Sequence, residues 1–194
     1  MSAALPPEAW ELLVEWLPSN DDPERPQITL STVDQAGDPD ARTVLLTAFD
    51  TDGFVFNTDG ASRKAADIAA HPTVALTVLW PGFTRQLVVR GTAIPAAPAV
   101  VAAAYESRSP YLKQLAWLNT HEFAGLPRAE RVARWAEFDE AHADGFAQPE
   151  SWVGYVVVPT RLTFWTSNGD TASRRTEFSR DAASGTWSRR FLAG

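Results

Sequence analysis

Residues 42–50, Arg-Thr-Val-Leu-Leu-Thr-Ala-Phe-Asp, have the apolar and β-branched content of a strand. Asp50-Thr51-Asp52-Gly53 is turn chemistry that folds such a strand back on itself, and residues 54–58, Phe-Val-Phe-Asn-Thr, supply the return. Asp59-Gly60-Ala61 then loops out, and Ser62 stands at an N-cap position directly before Arg63-Lys64-Ala-Ala-Asp-Ile-Ala-Ala. The chain must therefore pass from a hairpin into a helix start with almost no linker. Free backbone N–H groups, a favourable dipole and two cations meet there, which describes an anion site whose usual occupant is phosphate. The competing reading is a solvated first turn that Arg63 and Lys64 merely decorate. Cations are mildly unfavourable at a helix N-terminus, so two in succession need a reason. The chain has only two lysines, Lys64 and Lys113, and one of them is spent here.

At 194 residues the chain is long enough for one well-buried core and short for two domains, so residues 1–194 read as a single domain. An apolar content of 45% with eight Trp and ten Phe describes a packed globular protein, and no apolar run approaches the roughly 18 residues of a membrane span. The N-terminal residues lack the basic flank and apolar core of a signal peptide, and there is no cysteine, so the cytoplasm is the expected location. A net charge of −7 opposes general nucleic-acid binding and favours a small anionic ligand held in a local basic pocket.

Taken in order, Pro6-Pro7-Glu8 opens a helix on which Trp10, Leu13, Trp16 and Leu17 share a face. Residues 28–33 alternate as a strand, and residues 34–39 turn it into the run at Arg42. After the Arg63 helix, His71-Pro72 is a stop. Residues 73–80 and 85–94 form a hairpin about Pro81-Gly82. From Pro98 the period changes to that of helices, at residues 100–108, 110–118 and 128–143, an excursion over about 98–145. Short strands return at residues 152–158, 162–166, 174–180 and 186–192, with Asn168-Gly169 and Ser184-Gly185 as turns. Strands in hairpins with inserted helices predict an α+β fold built on an antiparallel barrel with peripheral helices.

Familiar catalytic patterns are missing. His71, His121 and His142 lie far apart and no cysteine exists, so no metal site is expected. There is no Gly-x-Ser-x-Gly elbow, Walker loop or Gly-x-Gly-x-x-Gly run. Chemistry without its own acid–base machinery points to a cofactor that brings the reactivity.

An ordered set of short pieces resembles the pyridoxamine 5′-phosphate oxidase family of flavoproteins. The pieces are Asp40-Ala-Arg42-Thr-Val-Leu-Leu, Phe56-Asn-Thr58, Ser62-Arg63-Lys64, Arg85-Gln86 with Val-Val-Arg-Gly91, Tyr105-Glu-Ser-Arg108, Ala116-Trp117 and Phe164-Trp165. They run from about Ile28 to Leu192. The resemblance implies an FMN-binding split barrel, and a homodimer with FMN at its interface. It assigns the FMN phosphate to Arg63, Lys64 and Arg42, ring contacts to the backbone of Val44 and Leu45, and the phosphate end of the ribityl chain to Thr58. Asn57 falls at a cofactor-contacting position, Gln86 would hydrogen-bond the ring, and Trp165 and Arg175 would reach the cofactor from the partner subunit. Tyr105 and Arg108 match residues that help to hold a substrate phosphate.

The departures cluster on the substrate side. The family's lysine is Thr47 here, its Phe-Tyr-Thr tyrosine is Asn57, a serine is Leu112, and its Gln-Ser pair after Ala-Trp reads His121-Glu122. Its late Arg-Leu-His-Asp-Arg run becomes Thr171-Ala172-Ser173-Arg174-Arg175. The resemblance therefore implies an FMN-dependent oxidase or dehydrogenase acting on a small ring or amine substrate other than pyridoxamine phosphate, with or without a carboxylate, as the phenazine-forming relatives do. Two other readings stand beside it: a genuine pyridoxamine/pyridoxine phosphate oxidase, and a non-catalytic flavin or deazaflavin carrier.

Overall fold

The computed structural model describes residues 4–194. Helix α1 (Pro7–Trp16) begins with proline in its first turn and buries Ala9, Leu13 and Trp16. Strands β1 (Gln27–Val33), β2 (Pro39–Leu45), β3 (Ala48–Phe49) and β4 (Phe54–Asp59) follow, then α2 (Arg63–Ala70), β5 (Thr73–Leu79) and β6 (Arg85–Pro95). Four helices make the excursion: α3 (Pro98–Glu106), α4 (Pro110–Leu118), α5 (His121–Gly125) and α6 (Arg128–Ala141). The chain closes with β7 (Trp152–Thr166), β8 (Arg174–Arg180) and β9 (Trp187–Ala193).

The nine strands form one antiparallel sheet in the order β2-β1-β5-β6-β7-β4-β3, with β8 on the second half of β7 and β9 beyond it. One rung shows why the sheet holds. Leu30, Leu76, Val89, Leu162 and Phe178 are register partners across five strands, and none is more than 2% exposed. Each such side chain contributes roughly 1.5–3 kcal/mol relative to an exposed one. Trp16 of α1 closes one end of this core, edge-on to Phe164 at 5.1 Å and to Trp80 at 5.5 Å. The result is the α+β antiparallel barrel with peripheral helices that the strand pattern predicts, in the split form that the resemblance implies. Among the described residues no helix is long and apolar enough to cross a membrane.

Three expectations about elements are corrected. Residues 42–50 do not form one strand: β2 ends at Leu45, where it pairs with Gln27, and only Ala48–Phe49 pairs with β4. The sheet curls so far that β2 and β3, its two ends, are joined by Leu46 and Thr47 alone; Leu46 donates its N–H to Pro26 and Thr47 donates its own to Val55. Residues 152–166 form one strand rather than two, because a register shift at Arg90/Gly91 admits Pro159 without breaking the ladder. Only glycine fits at 91, since a Cβ there would run into the carbonyl of Val158. Helix α5, too short for a periodic signal, was not expected.

Candidate active site

The end of β4, the loop after it and the start of α2 form one end of a cleft of about 620 Å³. Strand β2 from Asp40 to Leu45 makes one wall, and α4 and α5 cover it through Leu112, Leu115, Ala116, Asn119, Thr120 and His121. Ser62 occupies the N-cap position of α2 with extended backbone, yet no side chain caps the helix. Its hydroxyl lies 3.4 Å from that of Thr58, and while Ala65 and Ala66 donate their N–H groups to the Ser62 carbonyl, those of Arg63 and Lys64 stay available to a ligand. Lys64 donates from Nζ to Thr58 Oγ1 at 3.1 Å, and burial, then the neighbouring Arg42 charge, lowers its pKa from the ordinary lysine value. Arg63 leaves its side chain 78% exposed, with Asp40 3.5 Å away.

Arg42 lines the same cleft but is largely engaged. Nη1 donates to Thr32 Oγ1 at 2.6 Å and, more distantly, to the Leu30 carbonyl. Nη2 donates to Asp40 at 2.7 Å and to Asp67 at 3.2 Å. Asp67, on α2 and 3% exposed, also accepts from Thr32 Oγ1 at 2.6 Å. A motif reading misses Asp67 and Thr32. Their signal is an acid inside the apolar face of α2 opposite an arginine, which becomes visible only once β1, β2 and α2 are packed together.

Val44, Leu45, Asn57 and Arg108 also line the cleft. Thr47 Oγ1 donates to Asn57 Oδ1 at 3.0 Å, a neutral pair at the seam where β2 passes to β3. Gly154 is required beside it, since a Cβ there would approach Asn57 Nδ2 to 2.7 Å. A second cavity of about 620 Å³ shares Leu45, Thr47, Asn57, Arg108, Leu112 and Trp152 with the first and runs under the loop at Asn20 to Arg25. Arg108 stands where the two join, its guanidinium 4.2 Å over the Trp152 ring. Burial lowers its pKa, and no carboxylate pairs with it among the described residues.

The other sequence-derived residues lie elsewhere in the chain. Tyr105 is fully buried and donates its hydroxyl to the carbonyls of Ala147 at 3.1 Å and Lys113 at 3.4 Å, so it supports α3 and α4 without lining the cleft. Gln86, Trp165 and Arg175 form a row of register partners on β6, β7 and β8. Trp165 is 8% exposed, donates to Ser173 Oγ at 2.9 Å and packs on Phe83 at 4.6 Å; Arg175 donates to the Ala193 carbonyl at 2.7 Å. None of the three lines the cleft of its own chain.

Residues 15–147 match the family model described as pyridoxamine 5′-phosphate oxidase. The chain belongs to the pyridoxamine 5′-phosphate oxidase family. It is 38% identical over 160 residues to a pyridoxine/pyridoxamine 5′-phosphate oxidase of Ralstonia pickettii, covering 82% of this chain and 75% of that one. It is 33% identical over 191 residues to the protein of the same name from Rhodopseudomonas palustris, covering 93% and 87%. PhzG from Burkholderia lata, solved with tetrahydrophenazine-1-carboxylic acid, shares the fold over the whole of both chains with a TM-score of 0.83 at 23% identity. A pyridoxamine 5′-phosphate oxidase-related, FMN-binding protein of Nostoc punctiforme shares it with a TM-score of 0.67 at 17% identity, over 87% and 88%.

Proposed function

We propose that this family member is an FMN-dependent oxidoreductase that works as a homodimer on a small substrate other than pyridoxamine phosphate. The observation that carries the reading is the uncapped start of α2, where Arg63, Lys64, Thr58 and Ser62 gather at one end of the cleft. The donor set fits a phosphate monoester: an exposed guanidinium, an ammonium, two hydroxyls and unspent backbone N–H groups. The same cleft is lined by Val44 and Leu45 of β2 and by the apolar side chains of α4, a setting that suits a flat ring.

FMN, when bound, supplies the hydride acceptor. The chain's own work is to hold and orient. Arg63 and Lys64 fix the phosphate, and Arg42 supports them from behind while held by its carboxylates. Leu112, Leu115 and Ala116 exclude water from the ring's side of the cleft. Arg108, a desolvated cation without a carboxylate partner, orients an anionic group of the substrate, and one arginine suits a carboxylate as well as a phosphate. The row Gln86–Trp165–Arg175 lies outside its own chain's cleft, and a second copy brings it to the ring.

A second reading, oxidation of pyridoxine or pyridoxamine phosphate itself, is favoured by the names of the relatives at 38% and 33% identity. Thr47, paired with the neutral Asn57, and Tyr105, turned to backbone carbonyls, weigh against it. The purified protein is expected to carry FMN. Arg63→Ala or Lys64→Ala each removes a charge-assisted hydrogen bond of roughly 1.5–3 kcal/mol, weakening FMN about 10- to 150-fold while leaving riboflavin affinity alone. Unchanged FMN affinity in both variants refutes the phosphate assignment. Turnover is then tested by flavin reduction with candidate amines and partly reduced ring acids, which also separates an enzyme from a carrier.

A further inference from the structure

Two acids line the phosphate end of the cleft, Asp40 and Asp59. Asp59 accepts the N–H of Ala61 at 2.9 Å and forms no ion pair among the described residues. Asp40 is placed differently. Its Oδ1 accepts the Ala41 N–H at 2.8 Å, and its Oδ2 spans two cations, Arg42 at 2.7 Å and Arg63 at 3.5 Å. Arg42 does not depend on it, because Asp67 and Thr32 hold that guanidinium from the buried side. Asp40 has no comparable structural duty: it lies on β2, an end strand of the sheet path, with its side chain 35% exposed.

We propose that Asp40 is a resident anion of the phosphate site, competing with the ligand's phosphoryl group for Arg63 and so setting a charge threshold that a phosphate dianion passes. The inference rests on reading the start of α2 as the phosphate end. A carboxylate bridging both guanidiniums satisfies them in advance, so a ligand gains from Arg63 only what exceeds the pairing it displaces. The same fixed negative charge repels any anion that docks beside it. Attraction to Lys64 and the helix start and repulsion by Asp40 both double for a dianion, so its net gain doubles, while the Asp40–Arg63 pairing that has to be displaced costs the same for either ligand. Asp40 thus acts on selectivity, and its removal should strengthen binding, the reverse of what removing a site residue ordinarily does.

The test is a titration of flavin-stripped full-length protein with FMN and with riboflavin, read by quenching of flavin fluorescence, for wild type, Asp40→Asn and Asp40→Ser. Both variants are expected to bind FMN about tenfold more tightly at low ionic strength, with the gain shrinking as salt is added. Riboflavin affinity should not change, which a general loosening of the fold would not reproduce. Wild-type FMN binding with equal or weaker binding by both variants overturns this inference alone, as does an equal gain for riboflavin. A wild-type protein that does not bind FMN overturns the phosphate reading together with it.

Discussion

Arg42 of β2 and Asp67 of α2 meet at 3.2 Å with the carboxylate side chain 4% exposed and the guanidinium 18% exposed. The pair joins the helix that presents Arg63 and Lys64 to the strand that forms the cleft wall, with Thr32 of β1 bonded to both. A buried charge is tolerable only when paired, so breaking the pair from one side leaves an uncompensated ion. Asp67→Ala is expected to cost about 3 kcal/mol of stability in urea denaturation. Asp40→Ala, which removes a solvated partner of the same arginine, should leave the midpoint nearly unmoved. Equal losses in the two variants would remove Asp67 from this role.

The alkaline limb of FMN binding should report Lys64. Burial and the Arg42 charge hold its pKa below the ordinary 10.5, and a bound phosphate favours the protonated form. Affinity is therefore steady while Lys64 is protonated and falls as pH rises through that lowered pKa, earlier than an ordinary lysine would give. Lys64→Arg, charged throughout, should abolish the alkaline fall. On the acid side affinity drops below about pH 6 in both proteins as the phosphate takes its second proton. An unchanged alkaline limb in Lys64→Arg would assign it to another group.

Much of this was legible beforehand, and what was not has a common cause. The run Ser62-Arg63-Lys64 reads correctly because a helix start is a local event, decided by a few adjacent residues. The alternation of β1 and β6 reads correctly for the same reason. The break at Leu46 and Thr47 does not, since Val-Leu-Leu-Thr-Ala-Phe is strand-like throughout and only closure of the sheet on itself bends it. Tyr105 could be placed next to Arg108 in sequence, but the carbonyls that capture its hydroxyl belong to Lys113 and Ala147. Pairings between distant segments carry no sequence spacing to read.

Hybrid dimers test the division of the site between two chains. A protomer with Arg63→Ala and Lys64→Ala loses the phosphate end, and one with Arg175→Ala loses the row. Mixed after mild dissociation, the two should regain FMN binding in one site per hybrid, because one cleft then pairs an intact phosphate end with an intact row. Sedimentation should show a dimer for the wild type. Failure to regain binding, or a monomer that holds FMN tightly, would count against a shared site.

Pyridoxamine phosphate should be a poor substrate. Thr47 carries no charge and spends its hydroxyl hydrogen on Asn57, Thr171 stands where the family's late run has its first arginine, and Ser173, in place of its histidine, accepts from Trp165. Three contacts missing at about 1–3 kcal/mol each, allowing for non-additivity, place kcat/KM several orders of magnitude below that of an ordinary pyridoxamine phosphate oxidase. Steady-state formation of pyridoxal phosphate by FMN-loaded protein measures this directly. Efficiency comparable to such an oxidase would establish the second reading instead.

The curl that brings β2 and β3, the two ends of one sheet, together also sets an order of events during synthesis. Strand β4, which leads into the start of α2, takes its main partner from β7; there the Asn57 side-chain amide donates to the Val153 carbonyl, 96 positions further along the chain. Until the ribosome has released residues near the end of the chain, β4 has only the two-residue β3 to pair with, and the cation pair has no fixed platform. Cofactor capture therefore belongs to the finished chain, and a nascent chain stalled before β7 would expose β4 as an open edge.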